Sequence, residues 1–109
     1  MEMLNENEIT GFFVSGKFFR LIATNHAIKR IKQRRLNKYQ IASAILGLGT
    51  KLEMYNNSGK QILISDKDKN LSTIFAIEKY NIVLVTVLDK ANPYVKENTV
   101  VESFSFQYA

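Results

Sequence analysis

No cysteine occurs among the 109 residues. That excludes a disulfide framework and any thiolate metal centre, and it fits a reducing compartment such as the cytoplasm. A single histidine supplies too few nitrogen ligands to close a zinc site, so neither a metal nor a cofactor is expected. Tryptophan is absent, and the one proline, Pro93, falls in the polar stretch DKANPYVKEN, which reads as an exposed loop. No apolar run approaches the roughly 18 residues of a membrane span. The opening MEMLNENEIT is acidic and polar, the wrong composition for a secretory leader. Repeats, low-complexity tracts and Gly/Pro linkers are missing as well. A chain of this length supports one domain, with a core expected over about residues 17–90 and an extension over 91–109.

The least evenly distributed feature is negative charge. From Ile9 to Leu52 there are nine Lys or Arg residues and no Asp or Glu, whereas the rest of the chain carries six basic and ten acidic residues. The net charge of +5 therefore hides a division into a basic N-terminal half and an acidic remainder. A basic half of this kind concentrates polyanions, or an acidic protein partner, near the surface. It also serves solubility, and composition alone leaves both readings open.

Hydrophobic periodicity orders the elements. ITGFFVSGKFFRLIA is aromatic and β-branched and is broken at Ser15-Gly16; it predicts a strand at 17–23 with a shorter partner before it. Thr24 or Asn25 supplies an N-cap, and Ala27, Ile28 and Ile31 form an apolar stripe, predicting a helix over 25–35. Asn37 starts a second helix over 38–46 that stops at Gly47. KLEMY, QILIS, LSTIFAIEK and NIVLVTVLD then read as four strands of an antiparallel meander, separated by NNSG, DKDKN and KYN. The run IVLVTVL is apolar on both alternating faces, as a central strand is, and TVVESFSFQY offers an edge strand. The expected class is α+β, with two helices on one face of an antiparallel sheet and residues 71–78 paired to 81–88.

The densest chemistry lies in HAIKRIKQRR. On a helix, His26, Arg30 and Arg34 advance by steps of four and form one slanting ridge beside the apolar stripe, with Lys29, Lys32 and Arg35 between them and Lys38 beyond. Arginine donates bidentately to phosphate oxygens, and an imidazole exchanges protons near neutral pH. The same residues also fit a solvated basic helix with a histidine at its start. Thr86 is the one polar residue in IVLVTVL, on a face shared with Ile82, Leu84 and Leu88 by simple alternation. It reads as ordinary strand packing or as a hydroxyl reaching the ridge. Phe12, Phe13, Phe18 and Phe19 suit a strand core or base stacking. Glu53 and Tyr55 share a strand face, Gly47–Gly49 reads as a helix stop and turn, and Asp66 with Asp68 makes a poor metal site.

ATNHAIKRIKQRRLNKYQIASAI, followed by a strand pair and IVLVTV, resembles an uncharacterised bacterial and phage domain family. Its members carry a His-Ala-x-x-Arg-x-x-x-Arg helix, a second short helix and a late strand ending in Val-Thr-Val. That family is similar to the BrnT and RelE/ParE-like toxins, compact β-α-α-β-β-β domains, many of them ribonucleases. The resemblance covers residues 17–90 and is carried by His26, Arg30, Arg34 and Thr86. It implies RNA as substrate, free or on the ribosome, and an antitoxin or other protein as partner. Catalytic residues near the C-terminus, common in the toxin group, have no counterpart here beyond Tyr94, Lys96 and Tyr108, in no matching spacing.

The reading that follows is a metal-independent ribonuclease acting through 2′-OH attack. His26 moves protons, Arg30 and Arg34 stabilise charge at phosphorus, Thr86 donates a hydrogen bond, and Lys29, Lys32, Arg35 and Lys38 hold the nucleic-acid backbone. The alternative is a non-catalytic module that docks on nucleic acid or on an acidic protein, such as an inhibitor of a host nucleic-acid enzyme. A third class is an assembly protein whose aromatic N-terminal strand pairs with a partner.

Overall fold

A computed structural model describes residues 7–66, 70–89 and 97–103. The order is β1 (Glu8–Val14), β2 (Lys17–Ala23), α1 (Asn25–Gln33), α2 (Lys38–Leu46), α3 (Lys51–Tyr55), β3 (Ile62–Asp66), β4 (Leu71–Glu78), β5 (Asn81–Leu88) and β6 (Val100–Ser103). The protein is α+β: a six-stranded sheet in the order β1-β2-β5-β4-β3-β6, with helices packed on it. The expected loop around Pro93, with Tyr94 and Lys96, the acid at Asp68, and Tyr108 lie outside the described residues.

The sheet is mixed where an antiparallel one was expected. β1–β2, β5–β4 and β4–β3 are antiparallel, but β2–β5 and β3–β6 are parallel. The parallel central pair follows from the long crossover: the chain leaves β2, builds three helices and two strands, and re-enters beside β2 in the same direction. β4 and β5 pair as expected, through a turn of two residues and not three, with Asn81 already in β5. Lys79 and Tyr80 both have positive φ, 51° and 61°. That is the twist a two-residue hairpin needs, taken here without glycine. The side-chain carbonyls of Asn57 and Asn56 accept from the Lys79 and Tyr80 N–H groups at 2.8 and 2.9 Å and hold the turn.

KLEMY is helical, not a strand. Its buried residues are Leu52 and Tyr55, three apart, while Met54 is 63% exposed. The period that matters is thus helical, and the apparent alternation is incidental. Helix α1 stops two residues short of 35 because Arg35 adopts the left-handed region, φ 53°. Leu36 N–H then bonds Ile31 C=O at 3.0 Å and Arg35 N–H bonds Lys32 C=O at 3.2 Å, a Schellman closure with arginine in glycine's usual place. Helix α2 runs over the expected residues, capped by the Asn37 carbonyl on the N–H groups of Tyr39 and Gln40. Gly47 caps its end, and Gly49 turns the chain at φ 57°.

One face of the sheet meets the helices. Phe19, Leu21, Ala23, Ile62, Ile64, Phe75, Ile77, Ile82, Leu84 and Val87 share a single buried cluster with Ala27, Ile31, Ile41, Ile45, Leu52 and Tyr55 from the helices. The opposite face carries Phe13, Phe18, Arg20 and Ile22, and continues by register through Val83 and Ala76 to Ile74 and Thr86. A bulge explains where Thr86 falls. The β4–β5 register slips between Ile74 and Phe75, which pair with Thr86 and Leu84, leaving Val85 as the extra residue. Val87, not Thr86 or Leu88, therefore continues the buried row of Ile82 and Leu84. Strict alternation puts Thr86 in that row; the structure takes it out and leaves it half-buried.

Candidate active site at the start of the first helix

Thr24 sets the position of everything that follows. Its N–H bonds Leu84 C=O at 3.0 Å, extending the β2–β5 ladder by one rung. Its hydroxyl donates to Val85 C=O at 3.0 Å and accepts from Ala27 N–H at 3.1 Å, so one side chain joins the helix start to the bulge. The β2 register on β5 ends at Ala23–Leu84, so β5 continues past Leu84 without a strand on that side. Helix α1 fills this side, burying Ala27 and Ile31. Its first turn thus stands against Thr86.

His26 lies in that turn. Its Nε2 is 3.1 Å from Thr86 Oγ1, with donor and acceptor set by the tautomer. Nδ1 has no hydrogen-bond partner among the described residues. Lys29, Arg30 and Gln33 follow His26 at three, four and seven residues, and the four side chains line a cleft of about 310 Å³. Arg30 is half-buried and has no ion-pair partner among the described residues. Arg34 is differently placed: its Nη1 donates to Asp89 Oδ2 at 2.6 Å, just past the end of β5. The expected four residues are therefore divided. His26 meets Thr86 and shares the cleft along α1 with Arg30, while Arg34, past the end of the helix, is held by a carboxylate.

Of the proposed backbone-binding residues, Lys29 lines the cleft, whereas Lys32, Arg35 and Lys38 are exposed outside it. Lys38 sits over the Tyr39 ring, 5.5 Å from its centroid. Gln33 and Asp89 went unread in the sequence. Gln33 was open to discovery, since its distance of seven from His26 completes the i, i+3, i+4, i+7 face. Asp89 had no comparable signal, because it reaches Arg34 across 55 residues of chain.

A second ionisable cluster joins α3 to β6. The Tyr55 hydroxyl donates to Glu102 Oε2, and Lys51 Nζ lies 3.2 Å from Glu102 Oε1. Burial, reinforced by the neighbouring carboxylate, pushes the Tyr55 phenol up to about 12. The hydrogen bond from Tyr55, helped by Lys51, holds Glu102 below its usual range against the opposing effect of burial. The strand face expected to join Glu53 and Tyr55 does not form, because the segment is helical, and Tyr55's partner is Glu102. The cluster is a clamp between elements, remote from the cleft by sequence and contacts.

Among the described residues there is no group of three or more His, Asp or Glu side chains able to hold a metal. Nor is any helix among them long and apolar enough to cross a membrane. One family model matches the chain, described as Domain of unknown function (DUF4258), over residues 23–89. That span runs from the last residue of β2 to Asp89 and contains every residue of the cleft. No curated protein and no solved structure matches the chain.

Proposed function

We propose that this chain, which belongs to the DUF4258 family, is a metal-independent ribonuclease whose reacting groups lie in the His26 cleft. The observation that carries the reading is the pairing of His26 with Thr86 at 3.1 Å beside an arginine that has no carboxylate on it among the described residues. With Nε2 engaged by the threonine hydroxyl, Nδ1 faces the substrate and takes the ribose 2′-OH proton. The 2′ oxygen then forms its bond to phosphorus, the bond to the 5′ oxygen breaks, and the leaving oxygen is protonated from water. Charge that builds on the phosphoryl oxygens is met by Arg30 and Lys29. Thr86 is a positioning residue: it fixes the imidazole ring and touches no substrate. Arg34 contributes only if Asp89 releases it.

We extend the proposal to the toxin resemblance of the sequence: on this reading the chain acts in the cytoplasm on free or ribosomal RNA, with an antitoxin or other protein as partner. The test is incubation of the purified chain with total RNA and with translating ribosomes, in EDTA. Cleavage is expected to leave 2′,3′-cyclic or 3′-phosphate ends, and His26→Ala should slow it by about two to four powers of ten. Undiminished cleavage by His26→Ala overturns the mechanism. A wild-type chain that binds RNA but cuts neither substrate is instead a binding module.

A further inference from the structure

The four phenylalanines of the N-terminal hairpin have separated fates. Phe19 is fully buried and Phe12 packs against the core, but Phe13 and Phe18 are 71% and 45% exposed. They are cross-strand partners on the sheet face away from the helices, with ring centroids 5.1 Å apart. Gly11 makes room for them. Its φ is ordinary, so glycine is not needed for conformation; a methyl group there would collide with the tip of the Phe18 ring.

Arg20 follows Phe18 by two residues on the same face of β2, whereas Lys17 alternates to the other face with Phe19, its Nζ 3.3 Å from the Tyr80 hydroxyl and 5.6 Å from that ring's centroid. Arg20 is only loosely held by Glu8, at 3.7 Å. All of this belongs to the stretch without acidic residues from Ile9 to Leu52, apart from Glu8 and Tyr80. Register then connects the rings to the cleft. Phe18, Arg20 and Ile22 lie on one face of β2, Ile22 pairs with Val83, and Val83 shares its face with Thr86 across the bulge. From Phe18 to Ala23 the strand covers about 17 Å, and Thr24 leads directly to His26. Phe13 and Phe18 lie outside the residues that match the family.

We infer that Phe13 and Phe18 form a stacking platform for unpaired bases of single-stranded RNA, holding the strand while a phosphate a few nucleotides away enters the His26 cleft. The choice of RNA rests on the proposed ribonuclease reading; the platform itself rests on the exposed rings, the Gly11 seat and the Arg20 guanidinium beside them. Stacking tolerates any base and demands that the base be unpaired. The platform therefore selects single strands over duplexes.

The chain has no tryptophan, so Phe13→Trp places a lone indole reporter on the platform. Its fluorescence should be quenched saturably by a short oligouridylate or oligoadenylate and hardly at all by the same sequence in a duplex. Phe13→Leu and Phe18→Leu keep apolar bulk but remove the π face. Each should weaken single-strand binding by about 5- to 150-fold, the range for one base–aromatic stack. Phe18→Tyr should retain it. His26→Ala should bind as the wild type does while losing cleavage, which separates the two proposals: cleavage can fail with the platform intact. Equal affinity for single strand and duplex, or full affinity in both leucine variants, overturns the platform. So does an RNA-insensitive dimer that dissociates in Phe13→Ser, because the patch then belongs to a second copy of the chain.

Discussion

At the scale of single residues, the question is which cation serves the cleft. Arg30 and Arg34 look equivalent as letters, one helical step of four apart. Asp89 makes them unequal, because a guanidinium already donating to a carboxylate at 2.6 Å must give up that bond to hold a phosphate. Arg30→Ala should therefore weaken binding of a short single-stranded RNA by about tenfold or more, the scale of a charge-assisted hydrogen bond. Arg34→Ala should change it by less than about threefold, since an exposed ion pair contributes little. Asp89→Asn, by freeing Arg34, should tighten binding and steepen the salt dependence by about one counterion. Salt titrations of all three variants check this; equal losses from Arg30→Ala and Arg34→Ala would show diffuse attraction without a site. The ridge was readable because helical spacing is local. The removal of Arg34 from it was not, since its partner lies at the far end of β5.

Elements were readable where their signals are local, and misread where tertiary packing decides. Both cap residues of α1 and α2 accept the backbone N–H groups that a Thr or Asn at an N-terminus is suited to accept. The end of α1 shows the converse. No glycine marks it, so the sequence reads on to 35, yet Arg35 takes the left-handed conformation and closes a Schellman motif with Leu36 packed against the core. An L-residue there costs about 1–2 kcal/mol relative to right-handed backbone, a cost glycine escapes. Arg35→Gly should accordingly raise unfolding stability by about 0.5–1 kcal/mol in urea titration, despite glycine's greater freedom in the unfolded chain. A loss of stability would mean that the Arg35 side chain contributes contacts beyond its backbone. The α3 segment failed for a related reason: five residues fit a strand's alternation as well as a helix's period, and only the packing of Leu52 and Tyr55 selects the helix.

For the whole molecule, the sheet's far edge is closed by charge. β6 is an edge strand, parallel to β3, and Glu102 on it joins Tyr55 and Lys51 of α3. Nothing local announces this clamp, which spans 47 residues from Tyr55 to Glu102. Its pH signature has a definite sign. The Tyr55 phenol is raised by burial and by the carboxylate, so the folded state holds that proton more tightly than the unfolded chain does. The resulting stabilisation is complete below the ordinary tyrosine value near 10 and disappears as pH rises towards about 12. Glu102 behaves oppositely: held below its usual range, it stabilises at neutral pH and ceases to do so as acid protonates it in the folded state. The informative quantity is the difference between wild type and Tyr55→Phe. At pH 7 the variant should be less stable by about 1–3 kcal/mol, the value of a hydrogen bond to a charged group. That difference should narrow across the window from pH 10 to 12 in urea titrations, because the wild type then loses what the phenylalanine never had. Glu102→Gln should narrow the gap at neutral pH, where the carboxylate is the partner that makes the phenol's proton valuable. The absence of any gap at pH 7 would show that Tyr55 acts through its ring alone, and that β6 is held by its ladder with β3 and not by the clamp.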